Sequence, residues 1–320
     1  MQLPEELSAA ITEETRGIGS AKLARASVEL SKAYRSEGSW RPMLDRLHRS
    51  AYLVTRLPAT YAVTSRILRE AKLRVPELRI ASMLDLGAGP GTSMWAAAES
   101  FPELERVVAV EDSADWIALG TSLAEHAQSS AIRALDWVQG NVAGQLPSGS
   151  FDLVAMSYVV NELHPTERTR VVRAAWQRAG KLLVIAEPGT PIGFGHIREI
   201  RRELIASGAH IVAPCPHSQE CPMQGNDWCH FAERVQRTSE HRLAKGGELA
   251  YEDEKYSYVI FAREPVQLPM ARILRHPRKH SGHVELALCT SEGLQRATIS
   301  RKEGERYKAA KTAEWGETLE

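Results

Sequence analysis

The chain has 320 residues, and its forty Lys and Arg are balanced by forty Asp and Glu. With 43% hydrophobic residues it reads as a globular protein able to bury one large core or two smaller ones. No apolar run approaches the roughly 20 residues that span a bilayer. Zero net charge leaves nucleic-acid binding to be argued from local patches.

The first residues, MQLPEELSAAITEETRGIG, lack a basic stretch followed by an apolar one and carry Glu5, Glu6, Glu13 and Glu14. The expectation is a cytoplasmic chain without a targeting peptide. Residues 1 to about 75 read as helical, because Ala21–Tyr34 and Tyr61–Leu73 space their apolar residues three and four apart. Pro42, Pro58 and Pro76 punctuate that region.

From about residue 80, short apolar runs alternate with helical segments. The predicted strands are Ser82–Leu86, Val107–Glu111, Trp137–Gln139, Asp152–Ser157 and Leu182–Glu187. Strands apolar throughout and separated by helices predict a parallel sheet covered on both faces. A helix over Phe194–Ala206 and a strand around His210–Ala213 follow. The segment 214–230 leads into a predicted helix ending near Lys245, and Lys255–Arg263 is a further strand. Beyond Pro265, Val284–Cys289 and Leu294–Ser300 are expected to pair around Thr290–Gly293, with a helix over Arg301–Trp315. The expected organisation is a helical region over 1–78, an α/β domain over 79–264 with an insert at 214–230, and an extension over 265–320.

Between the first strand and its helix lies Asp85-Leu-Gly87-Ala-Gly89-Pro-Gly91. Glycines let the backbone turn tightly and approach a ligand, and the helix N-terminus presents free N–H groups. A glycine loop alone also suits dinucleotides, or a turn that only packs helix on sheet. Asp85, two residues before the first glycine, favours S-adenosylmethionine (SAM): its carboxylate can meet the methionine ammonium and would repel a pyrophosphate. Glu111, ending the next strand, is placed to grip ribose hydroxyls, and Asn141 to face the adenine edge.

Residues 1–214 contain no cysteine, and three of the four lie within 215–229. Clustered cysteines outside a small secreted scaffold point to metal. The spacing is C-x5-C-x7-C, from Cys215, Cys221 and Cys229, with Cys289 much further on. Thiolates in this number suit a tetrahedral zinc or an iron–sulfur cluster. The absence of a C-x2-C pair and the prolines after two of the cysteines lean toward the bulkier cluster. His217 and His230 can replace a thiolate in a zinc site, and buried unreactive cysteines are the plain alternative.

The stretch ARILRHPRKHSGH holds Arg272, Arg275, Arg278 and Lys279 without an acid. It can track phosphates, or it can be a solvated surface segment. No catalytic residue is identifiable. The fourth strand ends in Ser157-Tyr158-Val-Val-Asn161-Glu162 rather than the [DNS]-P-P-[YFW] of amino-methylating enzymes. Tyr158, Asn161, Glu162 and Glu187–Thr190 are expected to rim the pocket.

Several segments together carry a resemblance: RLPATYA (56–62), LDLGAGPGT (84–92), EPGTPIGF (187–194), APCPHSQECP (213–222), DWCHF (227–231), YEDEKYSY (251–258) and GHVELALCTSEG (282–293). The chain resembles the mitochondrial small-ribosomal-subunit methyltransferase-like assembly-factor family and its bacterial relatives. The resemblance implies a class I SAM-dependent methyltransferase (Rossmann-like) α/β fold with a cysteine-rich metal-binding insert and a small β-rich C-terminal extension. It also implies a [4Fe–4S] cluster on Cys215, Cys221, Cys229 and Cys289, SAM bound by Asp85, Gly87, Gly89, Gly91, Glu111 and Asn141, and a role in small-subunit assembly through contact with its rRNA. An active rRNA methyltransferase and a small-molecule methyltransferase with structural zinc are the alternatives.

Overall fold

The computed structural model describes residues 1–33, 45–237, 241–243 and 249–319. The chain opens with four helices, α1 (Glu5–Glu14), α2 (Ser20–Ala33), α3 (Arg46–Thr55) and α4 (Leu57–Arg74). The Asp45 side chain caps α3 by accepting the His48 N–H at 2.9 Å. Pro58 sits in the first turn of α4, where a missing N–H costs nothing. Tyr34 and Pro42 lie outside the described residues.

Alternation then follows: β1 (Ser82–Leu86), α5 (Thr92–Ser100), β2 (Arg106–Glu111), α6 (Ala114–Glu125), α7 (Ser130–Arg133), β3 (Asp136–Gln139), β4 (Phe151–Ser157), α8 (Pro165–Arg178), β5 (Ala179–Pro188) and α9 (Pro191–Ala206). Three further strands complete the sheet, β6 (His210–Ala213), β7 (Phe231–Gln236) and β8 (Tyr251–Ala262). The spatial order is β3-β2-β1-β4-β5-β8-β6. The first five of these strands run parallel, whereas β8 is antiparallel to both of its neighbours. This is the class I SAM-dependent methyltransferase sheet, as the sequence leads one to expect.

Each central strand is buried on both faces. Met83, Val107, Leu153 and Val184 point into one core, shared with Leu7, Leu30, Leu53 and Leu68 of the N-terminal helices. Their neighbours Leu84, Val108, Val154 and Ile185 point into the opposite core, which α8 and α9 cover with Trp176, Ile197 and Leu204. The period of two puts successive side chains on opposite faces, so continuous apolar runs are what such strands require.

One expectation is corrected here. The segment following the cysteines, predicted as helix to Lys245, begins as the strand β7 over Phe231–Gln236; residues 241–243 are helical, and residues 238–240 and 244–248 lie outside the described residues. The reason is tertiary. Phe231 and Val235 are buried, and the strand pairs antiparallel with Tyr251–Tyr256 of β8. Phe231 also lays its ring against Tyr256 and Tyr258.

The extension forms its own antiparallel sheet from β9 (Ala271–Ile273), β10 (Arg278–Lys279), β11 (His283–Thr290), β12 (Gly293–Ser300) and β13 (Thr318–Leu319). Ile273, Val284, Leu286, Leu288, Ile299 and Ala310 make its small core. The helix expected over Arg301–Trp315 is shorter, α10 over Glu305–Thr312, because Gly304 at φ 56° breaks it from a single 3-10 turn at Arg301–Glu303.

Candidate functional site

The glycine loop leaves β1 and enters α5 with Gly87, Gly89 and Gly91 all at positive φ, a region other residues rarely adopt. A Cβ on Gly87 would meet Val159 at 2.5 Å, so that glycine allows the β4 end to close on the loop. A Cβ on Gly89 would meet nothing within 4 Å, so the loop presents open space at its centre.

Glu111 organises the loop from the end of β2. Its carboxylate accepts the Gly89 N–H at 2.8 Å and the Ser113 N–H at 3.0 Å. Burial raises its pKa, and these two backbone bonds work against that rise. Asp85 is 1% exposed, and its Oδ2 has no hydrogen-bond partner. Burial first, and the charge of Glu111 second, push its carboxyl up to about 7. A buried acid without a cation is a costly arrangement. It fits a ligand that brings a cationic amine to this oxygen.

The structure therefore brings Asp85, the glycines and Glu111 together. Asn141 follows β3 exposed at the sheet edge, where its Oδ1 accepts the Ala143 N–H at 2.8 Å and is committed to its own turn. Above the Glu111 turn, α3 docks on α6 through the Arg49–Asp115 pair at 2.8 Å and Tyr52 against Trp116 at 4.8 Å between ring centroids.

At the ends of β4 and β5, Glu187 is fully buried. It accepts the Val160 N–H at 3.0 Å and the Asn161 N–H at 3.2 Å. Burial raises its pKa, opposed first by His196. Tyr158 sits beside this loop at φ 63°, a strained setting for a non-glycine residue, and its buried hydroxyl lacks a partner.

The cysteine centre is built from two separate stretches of chain, the segment 214–230 and β11. β6 and β7 both pair with β8, β6 opposite Ile260–Ala262 and β7 opposite Tyr251–Tyr256. Residues 214–230 thus leave the sheet edge and return to the same strand line a few residues further along. Cys215 marks the exit and Cys229 the return, where the Ser257 hydroxyl donates to the Cys229 carbonyl at 2.8 Å. Cys289 arrives from β11, opposite Arg272 of β9. All four cysteines line one cavity, with Phe194 and Met223 among its walls.

Burial and the neighbouring Cys215 push the Cys229 thiol well above its ordinary value, and the same causes, in that order, push Cys289 up to about 12. Burial likewise raises Cys221, and thiols such as Cys221, Cys229 and Cys289 take up charge most readily when a cationic group compensates it. Two arginines supply part of that compensation. Arg201 of α9 donates to the Cys215 sulfur at 3.3 Å and to the His217 carbonyl at 2.8 Å. Arg272 is 1% exposed and donates to the carbonyls of Pro214 and Gly316 and to Glu70 of α4 at 2.7 Å.

The predicted basic patch is therefore dissolved. Arg272 is a buried anchor, Arg275 pairs with Asp227, and His276 packs on Trp315. Arg278 and Lys279 alone of its four cations stand exposed. His230 stacks on Trp228 at 4.9 Å, while the His217 Nε2 reaches the Cys289 sulfur at 3.5 Å.

Arg201 and Trp228 were not singled out from the sequence. Arg201 carried a readable signal, a charge within the buried stripe Ile197, Ile200 and Leu204 of one helix. Trp228 carried none, since its indole N–H donates to the Gly189 carbonyl at 3.0 Å, a contact set only by the fold.

A family profile described as mitochondrial small ribosomal subunit Rsm22 matches residues 46–320. Similar curated proteins include the ribosome assembly protein METTL17, mitochondrial, of Homo sapiens, 28% identical over 291 residues, covering 84% of this chain and 61% of that protein. The Rsm22-cox11 tandem protein 2, mitochondrial, of Schizosaccharomyces pombe is 25% identical over 320 residues, covering 83% of this chain and 42% of that one. The chain thus spans less than two thirds of the length of either relative. Similar solved structures include the magnesium protoporphyrin IX methyltransferase of Synechocystis PCC 6803 with bound SAM, at TM-score 0.43 and 10% identity over 82% of this chain and 100% of that one. The N-methyltransferase NodS of Bradyrhizobium japonicum reaches TM-score 0.40 and 14% identity over 64% and 96%. By the extent of the profile match, from the third helix to the last residue, the chain belongs to the mitochondrial small ribosomal subunit Rsm22 family.

Proposed function

We propose that this chain is a SAM-binding, methyltransferase-like factor of small ribosomal subunit assembly, its insert and extension held by a [4Fe–4S] cluster on Cys215, Cys221, Cys229 and Cys289. The observation that carries the reading is one cavity lined by four cysteines, three from the insert and one from the C-terminal sheet. The choice of an iron–sulfur core over zinc rests on the C-x5-C-x7-C spacing and on the family resemblance.

On the methyltransferase side, Asp85 would receive the methionine ammonium and Glu111 the ribose, with the glycines giving close backbone approach. SAM, once bound, supplies an electrophilic methyl group. The ribosomal role rests on family membership and on similarity to the human ribosome assembly protein.

The test is co-sedimentation with small-subunit particles and their rRNA, comparing the native chain with Cys289→Ser. Binding that depends on the cluster supports the reading; equal binding by both proteins removes the cluster from that role, and binding by neither overturns the assembly role. Transfer of label from SAM to the rRNA would favour the active methyltransferase instead.

A further inference from the structure

Away from the cysteine cavity, the C-terminal sheet carries a second convergence of ligand-bearing side chains. The hairpin between β10 and β11 builds it. His280 and His283 close a tight turn over Ser281 and Gly282, and the His280 N–H donates to the His283 carbonyl at 2.9 Å. Glu285 lies two residues further along β11, on the same face as His283. The two imidazoles stack with ring centroids 4.4 Å apart and planes inclined by 13°.

Both rings direct Nε2 toward one carboxylate oxygen, Glu285 Oε1, from His280 at 3.9 Å and from His283 at 3.8 Å. These separations are too long for hydrogen bonds. Three ligand atoms thus lie within 4.8 Å of one another. A tetrahedral ion with bonds of about 2.1 Å needs its ligand atoms about 3.4 Å apart. Binding one ion requires the His280–His283 stack to open, the two rings turning about their side-chain torsions until both Nε2 atoms point at one position. Arg278 approaches the other oxygen, Oε2, at 3.8 Å, and at 77% exposure its side chain is free to swing into solvent.

We propose that His280, His283 and Glu285 form a binding site for one divalent transition-metal cation, separate from the cysteine cavity. Two imidazoles and one carboxylate suit zinc, cobalt or nickel over magnesium or calcium, which prefer oxygen-only shells. Three protein ligands leave coordination positions open to solvent. No cysteine takes part, so the site stands whether or not the cluster assignment does.

The test uses Co2+ as the probe on the full chain, purified anaerobically with its cysteine site as isolated. The expected result is one equivalent bound with weak visible ligand-field bands and without the intense sulfur-to-cobalt charge-transfer absorption that thiolates produce. His283→Ala and Glu285→Gln should each weaken binding about tenfold or more. His126→Ala should leave it unchanged, because that exposed histidine faces a single carboxylate, Glu13, at 3.9 Å. Unchanged melting temperatures show that the hairpin variants are folded. Absence of Co2+ binding, native affinity retained in both hairpin variants, or cobalt found only in a thiolate spectrum would each overturn the proposal. A thiolate spectrum would also mean that the cysteines were free of cluster, so the two assignments fail in different ways.

Discussion

Asp85 and Arg272 solve opposite problems of burial. Arg272 enters the interior with each guanidinium nitrogen donating, to the carbonyls of Pro214 and Gly316 and to the Glu70 carboxylate. Burial raises the Glu70 pKa, yet the charge and hydrogen bond of Arg272 together with the charges of Arg74 and Arg66 bring it below its ordinary value. Removing one member of such a pair strands the other, at a cost of about 3–5 kcal/mol. Arg272→Met should lose about that much in denaturant unfolding, and an unchanged midpoint would remove its anchoring role. Asp85 has no such answer. Its carboxyl is raised to about 7 by burial and by Glu111. A raised acid pKa favours the protonated fold, so its contribution is fully present below about pH 4 and is lost as the pH climbs through about 7. Asp85→Asn should flatten that part of the stability–pH curve. In the native chain, SAM affinity should rise over the same window, as the carboxylate becomes charged to meet the ammonium. Calorimetric titration at several pH values checks this, and a pH-independent affinity would contradict it.

At the scale of elements, α9 connects the two halves of the site. Its residue His196 faces Glu187 at 3.8 Å, while Arg201 holds Cys215 and the His217 backbone. Charge-assisted hydrogen bonds of this kind contribute about 1.5–3 kcal/mol each. Arg201→Met should therefore release iron faster in air than the native chain, followed as bleaching of the visible absorbance; an equal rate would reduce Arg201 to packing. Elements were legible in the sequence wherever their pattern was local. β1 and β6 match their expected bounds residue for residue, because continuous apolar runs need no partner to be recognised. The glycine loop was legible for the same reason. β7 was not, since FAERVQ buries only Phe231 and Val235, and its strand character comes from pairing with Tyr251–Tyr256. Nor was the fate of ARILRHPRKH: a string of cations gives no sign that Arg272 meets Glu70 from two hundred residues earlier. The cysteines themselves stood out by clustering, and the fold added what clustering cannot show, that Cys289 reaches the other three from a different sheet.

Across the whole molecule, the cysteine cavity lies where three bodies of structure meet. The methyltransferase sheet contributes β8 and α9, the insert contributes three cysteines, and the C-terminal sheet contributes Cys289 and Arg272. The small core of that second sheet is modest, built around Ile273, Val284, Leu286 and Ile299. A group bound by residues from separate parts of a fold stabilises the assembled state by mass action. Chelating the metal should therefore loosen the C-terminal sheet first, seen as faster amide exchange over 271–300 while β1, β2 and β4 stay protected. The account stands most directly on what the four cysteines hold. Iron, zinc and acid-labile sulfide analysis of the anaerobically purified chain and of Cys289→Ser, together with the visible spectrum, tests it. Brown native protein with iron and sulfide in equal amounts, both lost in the variant, is the predicted result. Colourless protein with zinc and no sulfide, or iron content unaltered by Cys289→Ser, would contradict it.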